Sequence, residues 1–484
     1  MTIVLEKPYS KSKVDNWLPK SDNKRRVKEA IRLAFVAVIL LIISVNGKVL
    51  SENSNDRIYI NNNKEFEVDG KRIWINGVNT PWNNWNEFGG NYNNSWWDNE
   101  FARLRNAGIN ATRIWINCNN DQDAVTIDEA GYVSGVSEKH WADVGSLFEL
   151  AQKHKVYIMA TLTSFDHFKS SKASRWRAMI TSKPASQSFV DNYTIPFLNK
   201  FKDNPYLWSI DLMNEPDWVH ESSECGRIPW DNISYFFAIN AAAIRDNSEV
   251  LVTVGMAYPK WNADGSGYEG NKVSDVYLKN LSSLSNAYLD FWSPHYYDWV
   301  GEWFGVPHYL SPYGRLQGSK TGWTGGWGLD PSKPALIGEC SARGTGRNRW
   351  GLINNTIITD FEQAYLNGWQ GVMPWTSNGV DGNGSLTNMS SATQNMLTKY
   401  PQLIFPAEFT NSVELQSANT LYAWIRNGNL HITGLTAGET LIVYNTMGTP
   451  VYQSVVTSYE ADIPLTTQGM YIIHHDNRTV KVVF

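Results

Sequence analysis

The chain has 484 residues, with 42 basic against 47 acidic side chains and a net charge near −5. It is 42% hydrophobic and only 18% charged, which excludes wholesale disorder, and its mild acidity gives no electrostatic footprint for nucleic acid. Three cysteines are too few for a disulfide scaffold, whereas 22 Trp, 23 Tyr and 18 Phe are unusually many rings. Each indole N–H wants a partner, so this number points to some Trp lining a surface. Flat apolar rings with polar edges suit the faces of sugars.

Residues 1–32 hold nine Lys or Arg against four acids, and an uncharged apolar run follows from Leu33 to Val45. The run is shorter than the roughly 20 residues of a transmembrane helix. A basic segment, a short apolar run and a small residue at Gly47 fit a secretory signal within residues 1–50. A retained N-terminal anchor and a buried helix are the alternatives. The expectation is a secreted or cell-surface protein with no stable membrane span in its mature form. Export permits disulfides; a Cys118–Cys225 bridge is one option, and at least one thiol stays unpaired.

Residues 51–65 are polar and rich in Asn, and read as a linker. Short apolar runs then recur at Ile73–Asn79, Ala111–Ile116, Val156–Thr163, Leu207–Met213, Leu251–Met256, Asp290–Tyr297, Ala335–Cys340 and Gly371–Thr376. Amphipathic stretches separate them. Trp97, Phe101, Leu104 and Ala107 recur at helical spacing before Gly108, and Val144, Leu147, Phe148 and Ala151 form a second stripe. Strands alternating with helices mean βαβ units, and eight of them over residues 66–405 predict an α/β fold of the closed (β/α)8 type, a TIM barrel. An open doubly wound sheet is the rival; the Gly-rich phosphate fingerprint of its nucleotide-binding versions does not follow the first run. After Pro406 the texture changes to short alternating runs at Leu421–Ile425, Leu430–Ile432, Leu441–Tyr444, Val451–Val455 and Met470–Ile473. Residues 411–484 therefore read as a small all-β sandwich.

In a parallel barrel, chemistry collects at the C-terminal ends of the strands. The second run carries Arg113, the fourth ends in Asn214-Glu215-Pro216, the sixth in His295-Tyr296-Tyr297, the seventh in Glu339 and the eighth in Trp375. Two carboxylates at one mouth, attended by Arg, Asn, His, Tyr and Trp, fit glycoside hydrolysis: one carboxylic acid protonates the leaving oxygen, and the other attacks the anomeric carbon or activates water. An Arg beside one carboxylate is expected to lower its pKa; burial and a neighbouring negative charge raise that of the other. The nine His show no paired metal-ligand spacing, and Asp121, Asp123, Asp128 and Glu129 lack a calcium-loop pattern and read as a solvated loop. No metal or cofactor is expected.

Taken together, Asn214-Glu215-Pro216, His295-x-Tyr297, Glu339, Trp375 and Arg113 resemble the signature of glycoside hydrolase family 5, within the clan of retaining (β/α)8 hydrolases. The resemblance implies that Glu215 is the acid/base and Glu339 the nucleophile. It implies that Arg113 and Tyr297 hold the nucleophile, that Asn214 binds the sugar 2-hydroxyl, and that His295 bonds near the acid or the substrate. Trp375 becomes the platform under the sugar at the cleavage point. Many members place a His just after the third strand; here His167 comes several residues late. That departure, the Arg113-Ile114-Trp115 run and Trp299 look like the mannan-cleaving members. Residues 411–484, through Leu441-Ile442-Val443-Tyr444, Ile463-Pro464-Leu465 and Gly469-Met470-Tyr471-Ile472-Ile473, resemble the sorting domain of a type IX secretion system. That likeness makes the secretion machinery a partner.

Aromatics crowd the loops: Trp82, Trp85, Trp96 and Trp97 in the first, Trp218 in the fourth, Trp299 and Trp303 in the sixth, and Trp323 and Trp327 in the seventh. Trp82, Trp218 and Trp299 are the expected sugar platforms, whereas Trp96 and Trp97 start a helix and pack inward. The resulting expectation is a secreted, retaining endo-β-1,4-mannanase acting on mannan or glucomannan. An endo-glucanase with the same mechanism and a non-catalytic polysaccharide-binding barrel are the alternatives.

Overall fold

The computed structural model describes residues 56–264, 268–300, 310–313, 326–344, 346–347, 354–408, 421–426, 429–465, 467–476 and 478–483. Eight parallel strands form the centre: β1 Ile75–Asn79, β2 Ala111–Trp115, β3 Tyr157–Thr161, β4 Leu207–Asn214, β5 Leu251–Met256, β6 Ser293–Tyr296, β7 Glu339–Cys340 and β8 Gly371–Val372. Their order is β7-β6-β5-β4-β3-β2-β1-β8, and bridges Ile337↔Val372 and Ser341↔Trp375 join β7 to β8 and close the ring. All eight runs expected from the sequence are strands, and the closure decides for the barrel over the open sheet. Strands β1 to β3 are buried along their whole length, as parallel strands covered on both faces must be.

The outer helices begin where caps allow. Helix α1 (Asn94–Asn106) starts at Asn93, whose side chain accepts the Trp96 N–H, and buries Trp97, Phe101 and Leu104 against the barrel. Gly108 follows it at φ 81°, a conformation that favours glycine. Helix α2 (Glu138–His154) is capped by Ser137 and buries Val144, Leu147, Phe148 and Ala151. Both expected stripes therefore face the core.

One reading needs correction. Residues 56–65 are not a free linker: Ile58 is fully buried, and Arg57 donates to the carbonyl of Asn204 (3.0 Å) and to those of Leu207 and Lys202. Tyr59–Ile60 pairs with Phe66–Val68, and Lys71–Arg72 completes a small antiparallel sheet. Cys118, Cys225 and Cys340 are all buried free thiols, so the Cys118–Cys225 bridge is not formed. The signal or anchor segment expected in residues 1–50 lies outside the described residues. Among those described, no helix is long and apolar enough to cross a membrane.

Among its described residues, the C-terminal region holds seven strands. A three-stranded sheet joins β9 (Tyr422–Arg426), β10 (Asn429–Thr433) and β13 (Glu460–Pro464). A four-stranded sheet joins β11 (Thr440–Asn445), β12 (Pro450–Val455), β14 (Met470–His475) and β15 (Arg478–Val483). Leu430, Ile432, Leu441, Val443, Ile463 and Ile473 fill the space between them. Trp424 packs its ring near Tyr365 and Tyr400 of the barrel (centroids 5.5 and 6.3 Å), and Arg72 reaches Glu460 at 3.5 Å. Replacing Trp424 with Ala is expected to cost about 1–3 kcal/mol, because the ring loses buried area and two aromatic partners. Thermal unfolding of the full chain checks this, and an unchanged transition would show that the ring contact joins nothing.

Candidate active site

Arg113 on β2 lies at the bottom of the barrel mouth and is fully buried. Its guanidinium makes a fork to Asp211 on β4, with Nε at 3.0 Å and Nη2 at 2.6 Å from Oδ2. Nη1 donates to Glu339 Oε1 at 2.5 Å and to Asn79 Oδ1 at 3.2 Å, and Nη2 also donates to Asn214 Oδ1 at 2.9 Å. Asp211 is pinned in turn by the Gly255 N–H (2.9 Å) and the Thr161 hydroxyl (3.0 Å). Burial works against the Arg113 charge, but Asp211 and Glu339 outweigh it and hold the guanidinium above its ordinary pKa.

Strand pairing sets the carboxylates. His295 on β6 pairs with Glu339 on β7, and Gly255 on β5 pairs with Asn214 at the end of β4. Gly255 leaves the space that this cluster fills: a Cβ there would lie 2.6 Å from Arg113 Nη2 and 2.8 Å from His295 Nε2. Glu215 follows β4 in the left-handed region (φ 48°, ψ 58°), held by its N–H on the Gly255 carbonyl at 2.7 Å. A non-glycine residue there costs about 1–3 kcal/mol, and such strain gathers at functional sites.

Glu215 Oε2 accepts the Trp218 indole N–H at 2.8 Å, and Oε1 is hydrogen-bonded to His295 Nδ1 at 2.9 Å. Glu339 Oε2 accepts the Tyr297 hydroxyl at 2.8 Å. One oxygen of each glutamate and a His295 nitrogen lie within 4.8 Å of one another. Burial pushes the Glu215 carboxyl up to about 7, against the Trp218 hydrogen bond and the Arg113 charge. Burial also raises Glu339, against His295, Arg113 and the Tyr297 hydroxyl. The sequence reading had Arg113 lowering the second carboxyl outright; desolvation outweighs it. The two carboxyls titrate as a pair. The proton they retain belongs on Glu215, because the guanidinium touches Glu339. Burial lowers His295 to about 4, so its imidazole is neutral at neutral pH.

The mouth opens into a cleft of about 1030 Å³. Glu215, Glu339, Asn214, Tyr297, Trp375, Trp82, Trp218 and Trp299 all line it, while Arg113 and His295 lie beneath them. Two aromatic walls face each other. Trp82 contacts Trp85, Trp115 and Trp375 at 4.6, 6.0 and 5.9 Å, and Trp299 contacts Trp218 and Tyr258 at 5.6 and 5.2 Å. Trp97 and Trp327 are buried instead, and Trp303 and Trp323 lie outside the described residues. His167 is turned into the protein, bonded to Ser164 and packed 4.4 Å from the Trp176 ring. Asp123 and Glu129 bind Lys172 and Arg175 at the surface.

Sequence reasoning missed Asp211, Asn79 and Gly255. An acid in the middle of the apolar run Leu207–Met213 was a readable sign of a buried partner. Nothing local marks Asn79 or Gly255, since their roles arise from neighbouring strands.

No protein-family profile matches the chain. Over 346 residues it is 24% identical to mannan endo-1,4-β-mannosidase of Mytilus edulis, covering 66% of this chain and 88% of that one. Over 344 residues it is 23% identical to the enzyme of the same name from Cryptopygus antarcticus, covering 65% and 82%. The crystal structure of endo-1,4-β-mannanase from Eisenia fetida superposes with a TM-score of 0.58 at 23% identity, over 70% of this chain and 95% of that one. β-1,4-Mannanase from Aplysia kurodai gives 0.58 at 24% identity, over 71% and 97%. These likenesses place the described barrel among (β/α)8 folds of similar length.

Asp211→Asn would leave Arg113 with one buried carboxylate instead of two. Breaking such a pair is expected to cost about 3 kcal/mol, read from denaturant unfolding. A loss within error would mean that the strand packing, not the ion pair, holds Arg113.

Proposed function

We propose that the protein is a retaining endo-β-1,4-mannanase of the glycoside hydrolase family 5 type, acting on mannan or glucomannan. The observation that carries this reading is the close pair of mouth carboxyls, Glu215 bonded to Trp218 and His295 and Glu339 held by Arg113 and Tyr297. Oxygens within 4.8 Å of one another belong to the short spacing of double displacement, about 5–5.5 Å between carboxyls. The wider spacing of about 6.5–9.5 Å leaves room for a water between them. The names of the two curated relatives support mannan as the substrate.

In the first step a Glu339 oxygen attacks the anomeric carbon while the bond to the leaving oxygen breaks, and Glu215 gives that oxygen its proton. The product is a glycosyl ester on Glu339 and a free chain end. Esterification removes one negative charge from the mouth, so Glu215 now prefers to be ionised less strongly opposed. It takes a proton from water, whose oxygen attacks the same carbon and returns Glu339 as carboxylate. Tyr297 and Arg113 keep the Glu339 oxygens aimed, and Asn214, its amide oxygen on Arg113, lines the cleft for the 2-hydroxyl. Rings on both sides of the carboxyls favour internal cleavage of a chain that stacks across them. No metal or cofactor enters these steps.

We further propose that residues 1–50 and the C-terminal module direct export to the surface or medium, with secretion machinery as the partner. The module's likeness to a sorting domain supports this. Deleting residues 411–484 then leaves the enzyme inside the producing cell, and a truncated chain exported as well as the full one would overturn it.

Glu339→Gln is expected to lose about 10³-fold or more in kcat. The assay is reducing-sugar release from linear mannan, glucomannan, carboxymethyl cellulose and mixed-linkage glucan. Release mainly from glucans would overturn the substrate, and no release from any polymer would leave a binding barrel. Because Glu215 must carry a proton to act as acid, activity falls as pH rises past about 7. The Trp218 N–H favours the ionised carboxyl, so Trp218→Phe moves that alkaline limb up by about one pH unit. The pH profile of kcat checks the sign.

A further inference from the structure

Four charged side chains that line the cleft, Asp166, Lys169, Asp298 and Asp381, take no part in the displacement, and two of them share one turn. The 3₁₀ turn Phe165–Lys169 follows β3 and splits its residues between two environments: His167 and Phe168 are buried, while Phe165, Asp166 and Lys169 line the cleft beside Glu215 and Trp218. Asp166 is held in place. Its Oδ2 accepts the Ser164 hydroxyl at 2.7 Å, and its Oδ1 lies 3.1 Å from Lys169 Nζ. Lys169 lies over the Phe165 ring at 4.3 Å. A solvated surface pair has none of this bracing. Here a hydroxyl fixes the acid, a ring carries the cation, and both stand in the groove that holds the reacting groups.

The side of the cleft follows from the acid. Glu215 must face the oxygen of the departing sugar. Its Trp218 partner belongs to the Trp218, Tyr258 and Trp299 wall, carried by the loops after β4, β5 and β6. The turn bearing Asp166 packs against the short helix Pro216–Glu221 that carries Trp218, and Cys225 Sγ lies 3.7 Å from the Phe165 carbonyl. Trp82, Trp85, Trp115 and Trp375 form the other wall, beside β1, β2 and β8. Asp166 and Lys169 therefore stand on the leaving-group side.

We propose that Asp166 and Lys169 form a specificity-determining pair that reads the hydroxyls of the leaving-group sugar, one accepting and one donating, while Trp218 and Trp299 cover its face. This rests on the glycosidase reading above. In double displacement the leaving sugar's place is also where an incoming sugar must lie to take the glycosyl group instead of water. The same pair then governs how much of the Glu339 ester goes to sugar and how much to water. In the transfer reaction the acceptor hydroxyl oxygen bonds to the anomeric carbon, the ester bond to Glu339 breaks, and Glu215 takes the hydroxyl proton.

The pair also acts on Glu215 through charge. The groups facing that carboxyl are Arg113, His295, Glu339, Tyr297, Asp217 and Trp218, with Asp166 and Lys169 from the turn. Asp166 favours the protonated form and Lys169 the ionised one. Replacing each therefore moves the alkaline limb in opposite directions, which a loss of packing would not do.

The test compares the full chain with Lys169→Met and Asp166→Asn on two substrates. One is a β-1,4-manno-oligosaccharide with sugars on both sides of the cleaved bond. The other is an aryl β-mannobioside, whose leaving group is a phenol and offers no sugar hydroxyls. Each variant is expected to lose about 10-fold in kcat/KM on the oligosaccharide and to stay within about two-fold on the aryl substrate. The fraction of transfer product, by mass spectrometry with added oligosaccharide acceptor, falls with it. The alkaline limb moves up in Lys169→Met and down in Asp166→Asn. Equal losses on both substrates, or no loss on either, overturn the pair as a reader of the leaving sugar. A wild-type chain active only on glucans fails the mannan reading, and the same comparison with cello-oligosaccharides still decides the pair. A wild-type chain inactive on every polymer overturns both.

Discussion

A guanidinium buried beneath the mouth is the constraint on which the site depends. Arg113 cannot shed its charge, so β4 and β7 must each deliver a carboxylate to it, Asp211 and Glu339. Asn79 and Asn214 supply neutral acceptors on its remaining edges. One planar group thereby sets the relative heights of β1, β2, β4 and β7. A point charge such as Lys could balance the acids but not hold four partners in one plane. A buried ion pair of this kind is a poor source of net stability, since desolvation takes back much of the Coulomb gain. Its value lies in geometry: Glu339 can occupy few positions while keeping its bond to Arg113.

The glycine on β5 completes that geometry. Arg113, His295 and Asp211 converge on the volume that a side chain at position 255 would take, so the cluster exists only because Gly255 has no Cβ. Asp211 also takes the Gly255 N–H. Glu215 takes the Gly255 carbonyl. The same residue thus positions the guanidinium from one side and the acid from the other. Gly338 on the neighbouring wall is similarly crowded by Ser293 and His295.

How much of this was legible follows from where each residue's constraint arises. The eight strands were readable because a parallel strand covered on both faces must be a nearly continuous apolar run. Glu215, His295, Glu339 and Trp375 were readable because they sit where such a run stops, at the end where function collects. Asp211 sits inside a run rather than at its end, and its partner is 98 residues away in sequence. Residues 56–65 misled by composition: their Asn content suggests a linker, but Ile58 and the Arg57 aliphatic stem find a buried seat that no local pattern announces. In the C-terminal module, β13 and β15 were missed because each buries a single residue, Ile463 and Val482, among half-buried and exposed neighbours.

The charge count of the mouth explains why the two glutamates differ. Arg113 is cationic and Asp211 anionic, and the two cancel within one hydrogen-bonded fork. His295 is neutral at neutral pH, since burial holds it near 4. Asp217, two residues beyond Glu215, is fully buried, accepts the Ala257 N–H at 2.8 Å, and is pushed far upward by burial. Burial therefore favours its neutral form. Burial favours a proton on Glu215, and the direct contacts from Arg113 and Tyr297 place the negative charge on Glu339. A positively charged sugar carbon, of the kind glycosidic cleavage develops, then meets one fixed anion on a nearly buried residue. Preorganised charge of that sort acts without reorganising as the bond breaks. Once the anion is consumed as an ester, the nearest negative charge is gone, and the opposition to ionising Glu215 falls at the step where it must act as base.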